Sequence, residues 1–226
     1  MESLSVRNLY LDSGDLVAFT ASALQQLQHL TCLELGCVDI LGADKASPAL
    51  QALTRLVELQ LDGWQGVVIT SSMLSGMQYL TRLQLSGGFT RMELAPGALA
   101  SKTQLQHLCL HGCEVLGGAA GEAQLLSHLQ PMQQLTHLDL FDSLYEVEGS
   151  TPPAAAYAAL TASSKLQNLD ISQCTLPAGV WQHVFPAGRQ LPNLQSLNLN
   201  GVKQPSGEYA TAPEGSRLVS CCPGLQ

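Results

Sequence analysis

The sequence predicts an α/β solenoid, a curved parallel sheet backed by short helices, and three observations carry that prediction. A block of the form apolar-x-x-Leu-x-apolar recurs eight times along the chain. Inside each block apolar and polar residues alternate, the two-residue period of a strand with one buried face. Between blocks lie segments with helical spacing, so that each period of 24 to 31 residues holds one strand and one return segment.

In order, the blocks are "VRNLYL" (6), "LTCLEL" (30), "LVELQL" (56), "LTRLQL" (80), "LQHLCL" (105), "LTHLDL" (135), "LQNLDI" (166) and "LQSLNL" (194), and a ninth begins at "CPGLQ". In the fifth, Leu108 and Leu110 point inward while His107, Cys109 and His111 point outward. The returns are read from "FTASALQQLQHL", "SPALQALTRL", "SSMLSGMQYL", "EAQLLSHLQPM" and "PPAAAYAALTAS". In "SPALQALTRL" Ser47 is expected to cap a helix, Pro48 to sit in its first turn, and Leu50 and Leu53 to face the interior. One strand-helix unit cannot cover its own apolar side. Stacked neighbours can.

Composition narrows the function classes. Only 12% of residues are charged and the formal net charge is −8, with no run of Lys or Arg. A phosphate backbone or an anionic membrane surface is therefore a poor partner, and the expectation is no nucleic acid and no membrane. Seven cysteines without a C-x-x-C pair, no N-x-[ST] site and no signal-peptide layout at "MESLSVRNLYL" point to a cytoplasmic setting. No apolar run approaches the ~18 residues that span a bilayer. Catalytic signatures are missing too: the sequence holds no Gly-rich phosphate loop, G-x-S-x-G elbow or H-E-x-x-H. No enzyme activity, cofactor or metal is expected.

The pattern L-x-x-L-x-L followed three positions later by Cys, at Cys113 and Cys174, resembles the leucine-rich repeat family. The resemblance covers essentially all of residues 1–226, read as a single domain of about eight repeats. It implies a right-handed arc that binds a protein on its concave sheet. It also implies an inward side chain at Cys113 and Cys174 that hydrogen-bonds the turn backbone. The same position holds Gly14, Val38, Trp64, Gly88, Ser143 and Val202 in other repeats, a departure from the family pattern. The ending "CCPGLQ" resembles the cysteine-containing subclass seen in F-box proteins, which implies an alternative role as the substrate-recognition region of a ubiquitin ligase adaptor. Solenoids need covered ends. No capping repeat is recognisable at either end, so the expectation is a fragment of a longer protein.

The stretch "HLCLHGC" raises a second alternative, a metal site. Parallel strands lie about 4.8 Å apart, which sets His107 beside His137, Cys109 beside Asp139 and His111 beside Phe141. A His/Cys/Asp square of this kind can ligate a transition metal. Zinc sites, however, gather their ligands from tight turns or helix faces. The favoured reading is a protein-binding surface formed by Arg82, His107, Cys109, His111, His137, Asp139, Phe141, Asn168, Asp170 and Asn198, a mixture of aromatic, acidic and hydrogen-bonding groups suited to a protein partner. The longer later repeats are expected to add loops at "CEVLGGAAGEAQ", "SLYEVEGSTPPAAA" and "GVKQPSGEYATAPEG", with Tyr145, Glu146, Glu148 and Tyr209 as further contacts. Asp139 is expected to favour protonated histidines and to place their titration between about pH 5 and 7.5.

Overall fold

The computed structural model describes residues 2–6, 26–36, 43–63, 67–87, 91–145 and 151–225. Its main sheet has eight parallel strands: β1 Glu2–Val6, β2 Leu30–Gly36, β3 Glu58–Asp62, β5 Arg82–Ser86, β7 His107–His111, β9 His137–Asp139, β10 Asn168–Asp170 and β11 Ser196–Asn198. Each strand pairs with the next in this order, as stacked repeats require. The alternation expected from the blocks is realised residue by residue. Leu33, Leu59, Leu83, Leu108, Leu138 and Leu169 occupy one register line and are all buried. Their neighbours at i±1 face out.

The first repeat is an exception. Ser3, Leu4, Ser5 and Val6 lie opposite Cys32, Leu33, Glu34 and Leu35, so Leu4 and Val6 take the places the repeat reading gave to Leu9 and Leu11. The stretch "ESLSVRNLYL" carries two apolar pairs at two-residue spacing, and periodicity alone does not choose between them.

A common turn ends the concave strands. Its hinge residue has positive φ at Gly63 (67°), Gly112 (62°), Asp142 (49°), Gln173 (59°) and Gly201 (69°). Glycine enters that region without strain and Asp at modest cost; a side chain such as that of Gln173 costs about 1 kcal/mol. The hinge N–H donates across to the following repeat: Gly63 to Ser86 O, Gly112 to Phe141 O, Asp142 to Ser172 O and Gln173 to Asn200 O, at 2.7 to 3.0 Å. Past the hinge the next side chain turns inward. Cys113 Sγ reaches Leu85 O at 3.5 Å and Cys174 Sγ reaches Leu140 O at 3.0 Å, while Ser143 Oγ donates to Leu110 O between them. Ser143 thus does the work of the cysteines, although its residue type breaks the family pattern.

The convex side is built from short helices at Ala43–Gln51, Ser71–Leu74, Gly118–Leu129, Trp181–Val184 and Gly215–Cys221 and a 3-10 segment at Ala154–Thr161. Two expectations are corrected here. The first of these helices starts before Ser47 and contains Pro48, and Ser47 Oγ accepts from Gln51 Nε2 at 3.2 Å instead of capping. Leu50 and Leu53 are nevertheless buried as expected. In the second correction, "CEVLGGAAGEAQ" is not a loop: it supplies strand β8, Cys113–Val115, and the start of the helix Gly118–Leu129. That strand belongs to a second parallel sheet with β4, Val68–Ile69, and β6, Met92–Leu94. Strands of two or three residues leave too short a pattern to read in advance. The Gly118–Leu129 helix can approach this sheet because residue 121 is glycine; a Cβ there would meet Leu116 O at 1.9 Å.

Candidate functional site

Strands β3, β5, β7, β9, β10 and β11 carry the outward residues in columns. The first runs Glu58, Arg82, His107, His137, Asn168 and Ser196, and the second Gln60, Gln84, Cys109, Asp139, Asp170 and Asn198. A groove of about 400 Å3 lies over these columns. It is lined by every concave candidate except Phe141, and also by Gln84 and Ser196, which sequence reasoning passed over although they occupy the same two columns. Phe141 stands beside the groove, its ring 4.3 Å from that of His111.

Electrostatics in the first column run against expectation. The His107 and His137 rings stack at 4.0 Å with an 18° tilt. Arg82 Nη2 lies 3.4 Å from His107 Nε2 and Thr136 Oγ1 lies 2.8 Å from His137 Nδ1. Burial, then the His137 ring, then the Arg82 guanidinium push His107 down to about 4. Burial and Arg82 lower His137 as well. Arg82 itself is held by Glu58, Nε to Oε1 3.6 Å. The predicted titration window near neutrality is therefore corrected for His107, because burial, the His137 ring and Arg82 outweigh any pull from Asp139.

Asp139 Oδ1 accepts from Phe141 N at 2.9 Å and Oδ2 from the Cys109 thiol at 3.6 Å. Asp170 Oδ1 accepts from Ser172 N at 2.9 Å and from its hydroxyl at 2.5 Å, and Oδ2 from Asn198 Nδ2 at 2.7 Å. Asn198 Oδ1 accepts from Asn200 N at 3.2 Å. In three successive repeats the second-column side chain thus folds the chain around its own i+2 amide, an Asx turn. These carboxylates keep one edge toward the groove but are not free acids.

The side chains weighed as metal ligands are engaged with one another. The histidines face each other ring to ring, the thiol points at a carboxylate, and among the described residues no three His, Cys, Asp or Glu side chains converge on a common point. Burial, then Asp139, push the Cys109 thiol far above its ordinary range.

The loop candidates separate. Tyr209 is 72% exposed on a small hairpin, where Lys203 bridges to it and Gln204 N donates to Glu208 O. Tyr145 is only partly exposed, with the Arg91 guanidinium 3.7 Å over its ring. Glu146 and Glu148 lie outside the described residues. Among the described residues no helix is long and apolar enough to cross a membrane.

No protein-family model and no curated protein sequence matches the chain. Solved structures do. Internalin C2 from Listeria monocytogenes superimposes with a TM-score of 0.62 at 19% identity, over 99% of this chain and 77% of that one. The leucine-rich repeat ectodomain of the Arabidopsis receptor kinase HAESA, solved with a peptide hormone ligand, matches 80% of this chain and 32% of its own at 17% identity and a TM-score of 0.44. A leucine-rich repeat protein of Leptospira interrogans matches 90% of this chain and 61% of its own, at 16% identity and 0.39. With its stacked parallel strands, inward leucine line and Cys/Ser turn ladder, the chain has the leucine-rich repeat fold.

Proposed function

We propose that this chain is a non-catalytic module that binds another protein through the concave face of its fourth to eighth repeats. The observation that carries the reading is the groove of about 400 Å3 centred on His107, His137, Asp139 and Asp170. Its floor combines the stacked His107–His137 pair with fixed acceptors, the His111–Phe141 pair stands at its edge, and rigid rings beside pre-set hydrogen-bonding groups are what protein hot spots are made of. Tyr209, exposed on its hairpin, is a further candidate contact. A protein partner also suits an acidic chain with few charges, which offers nothing to a phosphate backbone. The free thiols of the six described cysteines support a cytoplasmic setting. Against catalysis stand the protonated Cys109 thiol and the engagement of both aspartates in backbone turns.

The test is site-specific photo-crosslinking in the cell that makes the protein. A benzophenone side chain placed at Asn168 on the concave face captures a discrete partner, whereas the same group at Gln124 on the convex helix does not. Equal capture from both positions, or capture from Gln124 alone, moves the binding surface off the concave sheet.

A further inference from the structure

Away from the groove, a second cavity of about 280 Å3 lies where strand β8 and the helix Gly118–Leu129 meet the turn that follows β9. It shares no lining residue with the concave site. Glu122, 4% exposed, opens onto it and has spent one carboxyl oxygen: Oε1 accepts from the buried Tyr157 hydroxyl at 2.5 Å. Among the described residues nothing donates to Oε2. Tyr145, which also lines the cavity, has its hydroxyl oxygen buried without a hydrogen-bond partner. Ser143 does not help, because its hydroxyl donates to Leu110 O and accepts from Cys113 N.

The cations are spoken for as well. Arg91 lies over the Tyr145 ring and 3.8 Å from Asp142, and among the described residues no Lys or Arg pairs with Glu114 or Glu122. A buried polar atom without a partner costs on the order of 1–3 kcal/mol. Tyr145 Oη is such an atom, and together with the unengaged Glu122 Oε2 and a second carboxylate at Glu114 on the same cavity it points to a donor-rich occupant.

We propose that this cavity binds a primary ammonium group, with Glu122 Oε2, the Glu114 carboxylate and Tyr145 Oη as acceptors for its three N–H donors. Val115 offers the apolar contact for the adjoining methylenes. The ammonium belongs either to a free alkylamine or to a lysine side chain of a bound protein. Burial raises the Glu122 carboxyl to about 7, against the lowering effect of the Tyr157 hydrogen bond. The other charged or titratable groups around it are Tyr157, Cys174, Glu114, Arg91 and Tyr145. An ammonium requires ionised Glu122, so affinity rises about tenfold from about pH 6 to about pH 8, while an alkylamine stays protonated.

The experiment is an NMR chemical-shift titration of the full chain with n-butylammonium, with n-butanol as the neutral control and a blocked lysine amide as a third probe. Butylammonium should shift the amides of Glu114, Glu122 and Tyr145 with that pH dependence, and n-butanol should not. Glu122→Gln keeps an acceptor for Tyr157 and should weaken binding by about tenfold or more; Tyr145→Phe should weaken it by a few fold, consistent with loss of one hydrogen bond. Tighter binding of the lysine amide than of butylammonium assigns the ammonium to a partner's side chain, and weaker binding assigns it to a free amine. The proposal is overturned if no amide at the cavity moves, if n-butanol binds equally, or if both variants keep wild-type affinity.

Discussion

Acid should destabilise this protein through the His107–His137 stack, and the size of the effect follows from its geometry. The folded-state pKa of His107 lies at about 4, below the 6.5 of an unperturbed imidazole, and that of His137 is lowered too. Across that interval the unfolded chain binds more protons than the folded one. The stabilising contribution is therefore complete above about pH 6.5 and is lost as pH falls toward 4. At 1.36 kcal/mol per pH unit, the full interval caps the His107 effect at roughly 3 kcal/mol. The ring edges are partly solvated, which screens the repulsion from Arg82 and leaves about 1 kcal/mol by pH 5. The assay is urea unfolding at several pH values for the wild type and for the double variant His107→Gln/His137→Gln. The variant's stability should change less between pH 6.5 and 5, whatever its absolute value. Parallel curves for the two proteins would refute the account, and so would a wild type that gains stability on acidification, the outcome expected if Asp139 governed the histidines.

Two further predictions concern the strands themselves. Leu138→Ala removes a side chain only 1% exposed and should cost about 2–5 kcal/mol in denaturant unfolding, whereas Cys109→Ser, whose hydroxyl can donate to Asp139 as the thiol does, should cost under about 1 kcal/mol; equal losses would mean the faces are misassigned. Asp170→Ala strips the acceptor from the N–H and hydroxyl of the buried Ser172 and should cost about 1–3 kcal/mol, with Asp170→Asn recovering part of it; an Asp170→Ala protein as stable as wild type would show that the Asx turn contributes nothing.

Most of the concave architecture was legible because it rests on a period. Leucines at every second position of a block, repeated at a near-constant interval, determine which side chains face in and which become lateral neighbours. The pairs His107 with His137, Cys109 with Asp139 and His111 with Phe141 follow from that arithmetic alone, and all three are present. Where the period is ambiguous the reading slips, as at Leu4 and Leu9; at Ser47 it slips because the helix already begins at Ala43. The histidine pKa values were not legible at all. Sequence does not tell how far an imidazole is buried, and burial is the first cause that lowers both histidines, with Arg82 and, at His107, the His137 ring behind it; Asp139, held by the Phe141 amide, is not among those causes.

That engagement links strand length to the recognition surface. Strands β3, β5 and β7 run five residues and carry Gln60, Gln84 and Cys109 in the second column; β9, β10 and β11 run three and carry Asp139, Asp170 and Asn198. A short Asp or Asn side chain reaches the amide two residues on and bends the backbone out of the ladder. Glutamine is one methylene too long for that ring, and Gln60 instead donates across to the Asp62 carboxylate at 2.7 Å. The change from Gln/Cys to Asp/Asn therefore shortens the later strands by one residue pair each, and the exit of the chain after Asp139 places the Phe141 ring against His111 at the lip of the groove. In the proposed interaction the aspartates would act on a partner chiefly through this backbone shape. Replacing one of them alters the rim geometry of its repeat as well as its charge, which is why an Asn substitution, preserving the turn and removing the charge, is the variant that separates the two contributions in any binding measurement.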